Sequence, residues 1–404
     1  MASPGTATPD RIVELDALRG LAVIGIAWMN VYVFALPLQA YYNPLAWGFE
    51  GSLDSAAWWA GFVLVEDKFR TLFAMLFGAG VAILIERSPG SPWRGHGLRM
   101  AVLFVVGIAH ATLLASNDIL RAYAMAGLLL PAFMRFGSRT VLACAATLVA
   151  VHVAGGFIWL RDGLAAWSVG SNGQAQAFFA MNFGTDPAGL EVALERGQEG
   201  FGERLDRRLS TIPQTLGAVA ASVPLNLATM LVGIVIWRNG LLGAQWSTGR
   251  LVRLGAICAA ASLPVLVALA AWAQIEGFPG VLVAGNSLVF SAPFDLLLGV
   301  AYAALAMALF QSVRDGGAAS RLAAVGRLSL TNYLATSLVF SILFASWGLG
   351  LFAEVSRATA LALSFVPIGL MLLWSPMWLG HFRQGPLEWF WRGLAAGKFA
   401  QLRR

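Results

Sequence analysis

Runs of about 20 mainly apolar residues recur along the whole chain, and a helix of that length both crosses a bilayer core and satisfies its own backbone. Ten such runs fall at roughly 14–36, 66–86, 98–116, 119–136, 140–160, 210–237, 250–273, 289–311, 325–347 and 357–380. Hydrophobic residues make up 58% of the chain and charged residues 12%, with a mean hydropathy of +0.71, values that exclude a soluble domain. The expected fold class is all-α: a polytopic transmembrane helical bundle of about ten helices, forming a single membrane domain over 1–404.

Placing the N-terminus in the cytoplasm gathers Arg87, Arg94, Arg99, Arg238, Arg250 and Arg327, among others, on one side. The opposite loops 37–53, 274–288 and 348–356 then hold no Lys or Arg. The positive-inside rule therefore puts both termini in the cytoplasm of a multi-pass cell-membrane protein. The net charge of +6 sets orientation and implies no nucleic-acid partner. Cys144 and Cys258 lie inside apolar runs and read as small buried hydrophobes. The first apolar run is long and carries Asp16 and Arg19, so it stays as the first helix and is not a cleaved signal. The hydrophilic stretch 161–209 is expected to be an extracytoplasmic loop with an amphipathic helix from about 187 to 209, either covering an outward cavity or serving as a solvated connector. Residues 381–404 alternate Trp and Phe with basic residues, which suits a cytoplasmic interfacial tail.

Within this apolar background a few ionisable residues stand out. Glu66, Asp67, Lys68 and Arg70 crowd together between two apolar runs. Burying one such group in lipid costs at least ~2.5 kcal/mol, so they either pair around a functional cavity or cap a helix at the membrane surface. From Ser55 to Arg87 is about 48 Å of helix, too long for one straight span, so 53–65 is either an interfacial helix or an extension past the membrane. Asp16 and Arg19 share a helix face, and Asn30 lies on the same stripe about 16 Å deeper. His110 sits mid-span, followed by Asp118 and Arg121 at the turn SND. A histidine there is placed either for proton transfer or for a hydrogen bond between helices. His152 has no charged companion nearby and Asp295 stands alone, and each reads as a helix-packing or polar-network residue, while Ser329, Thr331, Asn332 and Thr336 enter a helix together, either lining a cavity or bonding their own helix. Gly78 and Gly80 read as close helix packing. No set of residues has metal-ligand spacing.

Five ordered segments carry a resemblance: LDALRGLAVIGIAWMN, KFRTLFAMLFGAG, RMAVLFVVGIAHATLLASNDIL, GRLSLTNYLATS and GPLEWFWR. They look like the domain-of-unknown-function 418 family, also called YeiB-like. That family in turn resembles the transmembrane acyltransferase group, which includes heparan-α-glucosaminide N-acetyltransferase and enzymes with an arginine and a histidine separated by ten residues on the first helix. Arg19 matches the arginine of that motif, whereas Asn30 occupies the histidine position. The resemblance implies transfer of an acyl group from cytoplasmic acyl-CoA, acetyl-CoA first among donors, to a hydroxyl or amine at the membrane or its outer side.

On that reading Arg19, Arg94 and Arg99 hold the CoA phosphates, and His110, or the Glu66 and Asp67 pair, replaces the missing base. Lys68, Arg70, Asn30, Asp118 and Asn332 are the candidate substrate contacts. The partners expected are membrane lipids and a small-molecule, sugar or lipid acceptor; whether the chain forms a homodimer is left open. Two other classes fit the same charges: a transporter or lipid-handling protein, whose sign would be inverted repeats with broken helices, and a non-catalytic relative.

Overall fold

The computed structural model describes residues 12–87, 93–171, 173–313 and 316–404. The chain starts with α1 (Val13–Ala35) and the short α2 (Leu38–Tyr42). The next span, Ser52–Arg87, is broken. Its first part, α3 (Ser52–Ala60), runs into a π turn at Gly61–Val65, the chain bends at Glu66 and Asp67, and α4 (Lys68–Arg87) completes the span. A hairpin of α5 (Arg94–Leu113) and α6 (Leu120–Leu128) leads to the long α7 (Ser138–Ser168). Three short helices follow, α8 (Gln174–Phe183), α9 (Pro187–Gln198) and α10 (Phe201–Ser210). Then come α11 (Ile212–Arg238), α12 (Thr248–Ile275), α13 (Gly280–Gly285), a second π turn at Asn286–Phe290, and α14 (Ala292–Ser312). A bent pair, α15 (Gly317–Arg327) and α16 (Ser329–Phe344), meets at 85°. Finally α17 (Arg357–Leu363) and α18 (Phe365–His381) form the last span, and α19 (Pro386–Ala396) packs against α5 and α16.

The chain is thus an all-α multi-pass membrane protein, with no strand among the described residues. Among those residues eight helices are long and apolar enough to cross a membrane, or nine if α15 and α16 count as one bent span. Ten were expected; with the bent pair counted as the span expected at 325–347, the difference lies at 119–136. There α6 stops after nine residues and gives way to a 3-10 turn at Leu130–Phe133, because Pro131 has no N–H to extend the helical ladder. The single amphipathic helix expected at 187–209 is two helices. Asp186 caps α9 by accepting from Gly189 N at 3.1 Å, and Glu203 accepts from Gly200 N at 3.0 Å to start α10 afresh.

Lipid tails are as apolar as leucine, so these helices associate through close backbone approach. A Cβ on Gly20 would overlap the Leu322 carbonyl, and one on Gly326 the Asp16 carbonyl, which is how α1 and α15 lie together. Gly78 and Gly233 do the same for α4 and α11, each facing a backbone carbonyl of the other helix, at Met230 and Met75. Gly78 therefore packs as its sequence suggested. Gly80 has a different role, leaving room beside the Arg19 guanidinium at 3.5 Å. Gly78→Leu is expected to lower stability by about 1–3 kcal/mol or more through overpacking, whereas Gly217→Leu, whose Cβ meets open space, leaves it unchanged; thermal unfolding in detergent compares them.

Candidate functional site

Three groups of polar residues occupy the interior, and each is assembled from distant parts of the chain. The first is a basic cavity of 480 Å³ between the start of α1, the end of α4, α5 and the α15–α16 bend, with α19 across it. Arg19, Arg99, Arg327 and Arg392 line it, over an apolar floor that includes Phe73 and Phe77. Arg19 pairs with Asp16 at 3.1 Å, so the expected i,i+3 contact forms. Trp391 of α19 donates to the Arg99 carbonyl at 3.0 Å and closes one wall. In the same wall Glu388 caps α16 from outside that helix, accepting from Leu330 N at 2.7 Å, Thr331 N at 3.0 Å and Thr331 Oγ1 at 2.6 Å. Burial holds the Glu388 carboxyl above its ordinary range in spite of those donors. The cavity thus has both Arg19 and Arg99 in its wall. It adds Arg327, Arg392 and the buried His96, which sequence reasoning passed over. Arg94 opens α5, and its side chain lies outside the described residues.

Deeper along α5 lies the second group. His110 is 2% exposed, and both of its ring nitrogens are engaged. Nδ1 meets Asp118 Oδ1 at 2.7 Å and Nε2 meets Ser337 Oγ at 2.9 Å. Asp118 also accepts from Arg121 N at 2.9 Å and lies 3.5 Å from Arg121 Nε. Carboxylate, imidazole and hydroxyl therefore stand in the serial order in which an imidazole activates a nucleophilic oxygen. The helices position this set simply. Ser329 and Leu330 of α16 and Arg99 of α5 border the basic cavity, and Ser337 and His110 follow on the same helices about 12 and 16 Å farther on. Beyond them Leu114, Ala115 and Phe344 border a further cavity at the opposite end. Ser337 belongs to the polar run on α16, whose Thr336 and Asn332 bond elsewhere. Thr336 bonds its own helix at Asn332 O, 2.8 Å away. Asn332 commits its amide to the bend, donating to Val325 O at 3.0 Å and Ser375 Oγ at 3.1 Å while accepting from Trp374 at 2.9 Å.

The third group is the charged cluster at the broken span. Lys68 is 1% exposed, and its ammonium pairs with Asp295 Oδ1 at 2.7 Å and also donates to Phe62 O. Asp295 accepts from Ser291 at 2.7 Å. Asp67 pairs with Arg70 at 2.7 Å, and Arg70 reaches Asn226 Oδ1 at 3.1 Å. Glu66 is 5% exposed. Glu66 and Lys68 are buried inside the bundle, while Asp67 and Arg70 are half-buried, so the cluster pairs internally beside a cavity. Asp67 takes a left-handed backbone at φ 57°, a conformation Asp tolerates, and this lets two ion pairs diverge from adjacent residues. Asp295 takes the polar-network role of its two alternatives. Its helix begins just after the second π turn, so a π turn precedes each member of the Lys68–Asp295 pair.

A cavity of 640 Å³ opens beside the cluster, lined by Glu66, Asp67, Arg70, Tyr42, Trp159 and His152. His152 is bonded to Leu288 O at 2.9 Å and faces this charged cavity, although no charged residue lies near it along the chain. Asn30 borders a 40 Å³ pocket together with Asp67 and Arg70, and accepts from Asn117 at 3.3 Å. The second and third groups touch: Tyr123 donates to Arg70 O at 2.7 Å, and Ile119 N donates to the Tyr333 hydroxyl at 3.4 Å beside His110.

Comparison with known proteins gives relatives of the same length. The family described as "Protein of unknown function (DUF418)" matches residues 236–398. The chain is 32% identical to the uncharacterized protein YeiB of Escherichia coli (strain K12), over 95% of this chain and 96% of that one. It is 27% identical to the uncharacterized protein YxaH of Bacillus subtilis (strain 168), over 96% and 94% of the two chains.

Proposed function

Since the chain belongs to the DUF418, YeiB-like family of unknown function, its activity rests on its own chemistry, and we propose an acyltransferase of the plasma membrane. Acyl-CoA, with acetyl-CoA the first donor to try, enters from the cytoplasm and sets its phosphates against Arg19 and Arg99, joined by Arg327 and Arg392. The observation that carries the reading is the Asp118–His110–Ser337 chain on the helices that run inward from that basic cavity.

The reaction has two halves. His110 Nε2 takes the Ser337 proton as Oγ attacks the thioester carbonyl; the C–S bond breaks and the proton passes to the departing sulfur, leaving acyl-Ser337 and free CoA thiol. An acceptor hydroxyl or amine from the other side then gives its proton to His110 and attacks the acyl carbon, and Ser337 Oγ leaves carrying that proton. Asp118 holds the imidazole in the tautomer this needs. Ser337 is 1% exposed, so the reading requires α5 and α16 to part when the donor binds. Asn30, Asp67, Lys68 and Arg70 lie on the acceptor's route.

Calorimetry with acetyl-CoA and CoA on the detergent-purified chain tests the donor half. Arg99→Ala and Arg19→Ala should each weaken binding about tenfold, the value of one or two charge-assisted hydrogen bonds. A folded wild type that binds neither compound would sink the proposal.

A second reading draws support from the π turns that precede Lys68 and Asp295, since discontinuous spans carrying ionisable groups are typical of transporters. Substrate flux through proteoliposomes without any acyl-CoA would favour it over acyl transfer.

A further inference from the structure

At the end of the bundle away from Arg19, α9 and α10 fold back over the ends of α1, α5 and α16. Two adjoining cavities lie beneath them, of 310 and 240 Å³, sharing Ser116, Arg196, Arg207 and Arg208 in their walls. Arg204 borders the first and Arg121 the second. Among the described residues no acidic side chain lines either cavity. α10 sorts its charges: Glu203 and Asp206 are exposed on the outside, whereas Arg204, Arg207 and Arg208 are half-buried and turned inward; on α9, Glu191, Glu195 and Arg196 are all exposed. An amphipathic helix that merely covered apolar surface would place its arginines in water instead.

The inward arginines are also held in place. Glu199 grips Arg207 in a two-point ion pair at 2.5 and 2.6 Å, and Arg204 donates to Gly197 O at 3.0 Å. Arg208 donates to Thr112 O at 3.3 Å, yet its buried Nε has no hydrogen-bond partner among the described residues. Burial, with Arg204 and Arg207 beside it, pushes the Arg208 guanidinium down to about 10, still cationic at neutral pH. One carboxylate thus serves a group of guanidiniums that a second anion would complete. The floor below them is apolar, with Phe34, Phe344 and Phe352 in the wall.

We propose that this vestibule is a binding site for a phosphate ester, its anionic oxygens held by Arg204, Arg207 and Arg208 and any attached apolar group resting on the phenylalanine floor. A planar guanidinium matches phosphate oxygens at two points, which suits arginine over lysine here. The phosphate comes either from a lipid headgroup or from a free phosphorylated solute, and the floor favours the lipid. The site does not depend on acyl transfer and stands if that reading fails.

The test is calorimetry on the full detergent-purified chain with four probes: dioleoyl phosphatidic acid, dioleoylglycerol with the same acyl chains, inorganic phosphate and pyrophosphate. Phosphatidic acid should bind and dioleoylglycerol should not. The double variant Arg204→Gln and Arg208→Gln should weaken binding about tenfold or more, while Arg161→Gln, exposed and outside both cavities, should not change it. Glu199→Gln should tighten binding severalfold, because it releases Arg207 and removes the competing anion; loss of folding could not produce that gain. Phosphatidic acid binding far more tightly than the inorganic anions supports the site with a lipid source. Equal binding of inorganic phosphate or pyrophosphate supports it with a soluble source. Binding of no anion, equal binding of dioleoylglycerol, or affinity indifferent to both arginine changes and to Glu199→Gln would overturn it.

Discussion

Ser337→Ala is expected to abolish acyl transfer, lowering kcat by about 10²–10⁴-fold, while acetyl-CoA binding stays near wild type because Arg19 and Arg99 are untouched. His110→Ala should do nearly as much and Asp118→Asn somewhat less, and the double variants should add little, since the three groups act as a unit. Radiolabelled acetyl-CoA supplied without acceptor should label wild-type protein on Ser337. The label should be absent from Ser337→Ala, and peptide mass spectrometry locates it. A purely structural role for the Ser337–His110 contact predicts the reverse pattern, lost stability with no label in any form. Full turnover by Ser337→Ala would leave His110, acting directly on the acceptor, as the base.

The second large effect concerns stability. Asp295→Ala leaves the Lys68 ammonium without its 2.7 Å partner in a position 1% exposed, and breaking a buried ion pair from one side costs about 3–5 kcal/mol. The protein should unfold at a clearly lower temperature or fail to accumulate in the membrane. The double variant Lys68→Met and Asp295→Leu should recover most of that loss, because two apolar side chains of similar size need no compensation in a low-dielectric interior. If the recovered protein also transfers acyl groups, the pair is architectural; if it folds but neither transfers nor transports, the pair belongs to the working site. Two single variants as stable as wild type would show that water reaches the cluster.

Much of this arrangement was visible in the residues themselves. The Asp16–Arg19 contact followed from i,i+3 spacing, and Gly78 from its place in a small-residue pattern. The first depends only on neighbours along one helix, and the second only on a residue small enough for another helix to approach. Arg19 and Arg99 were placed together by their role in the resemblance, and the basic cavity joins them. What escaped reading has a common cause. Asp295 looked alone because Lys68 is its partner from a span far away in the chain, and His152 shares a cavity with Glu66 and Asp67 that only the packed bundle creates. Ser337 was hidden among Ser and Thr residues that bond their own helix, and nothing in GRLSLTNYLATS separates the one hydroxyl that reaches an imidazole. The inward arginines of α10 did leave a signal, a strongly one-sided charge pattern between Arg204 and Arg208, but periodicity cannot say which side faces the bundle.

Run length and composition by themselves determined that the chain is a helical membrane bundle, because an unsatisfied backbone in lipid is too costly for any other fold this sequence could adopt. They overstated the number of spans where Pro131 ended a helix early and, if the bent α15–α16 pair is not one span, at that 85° bend. Which charges meet was decided by tertiary structure alone. His110 finds Ser337 across 227 residues, and the geometry of such pairs is set by glycine-mediated helix contacts and two π turns. A one-dimensional pattern carries the identity of each charged group, but not the partner that makes its burial affordable.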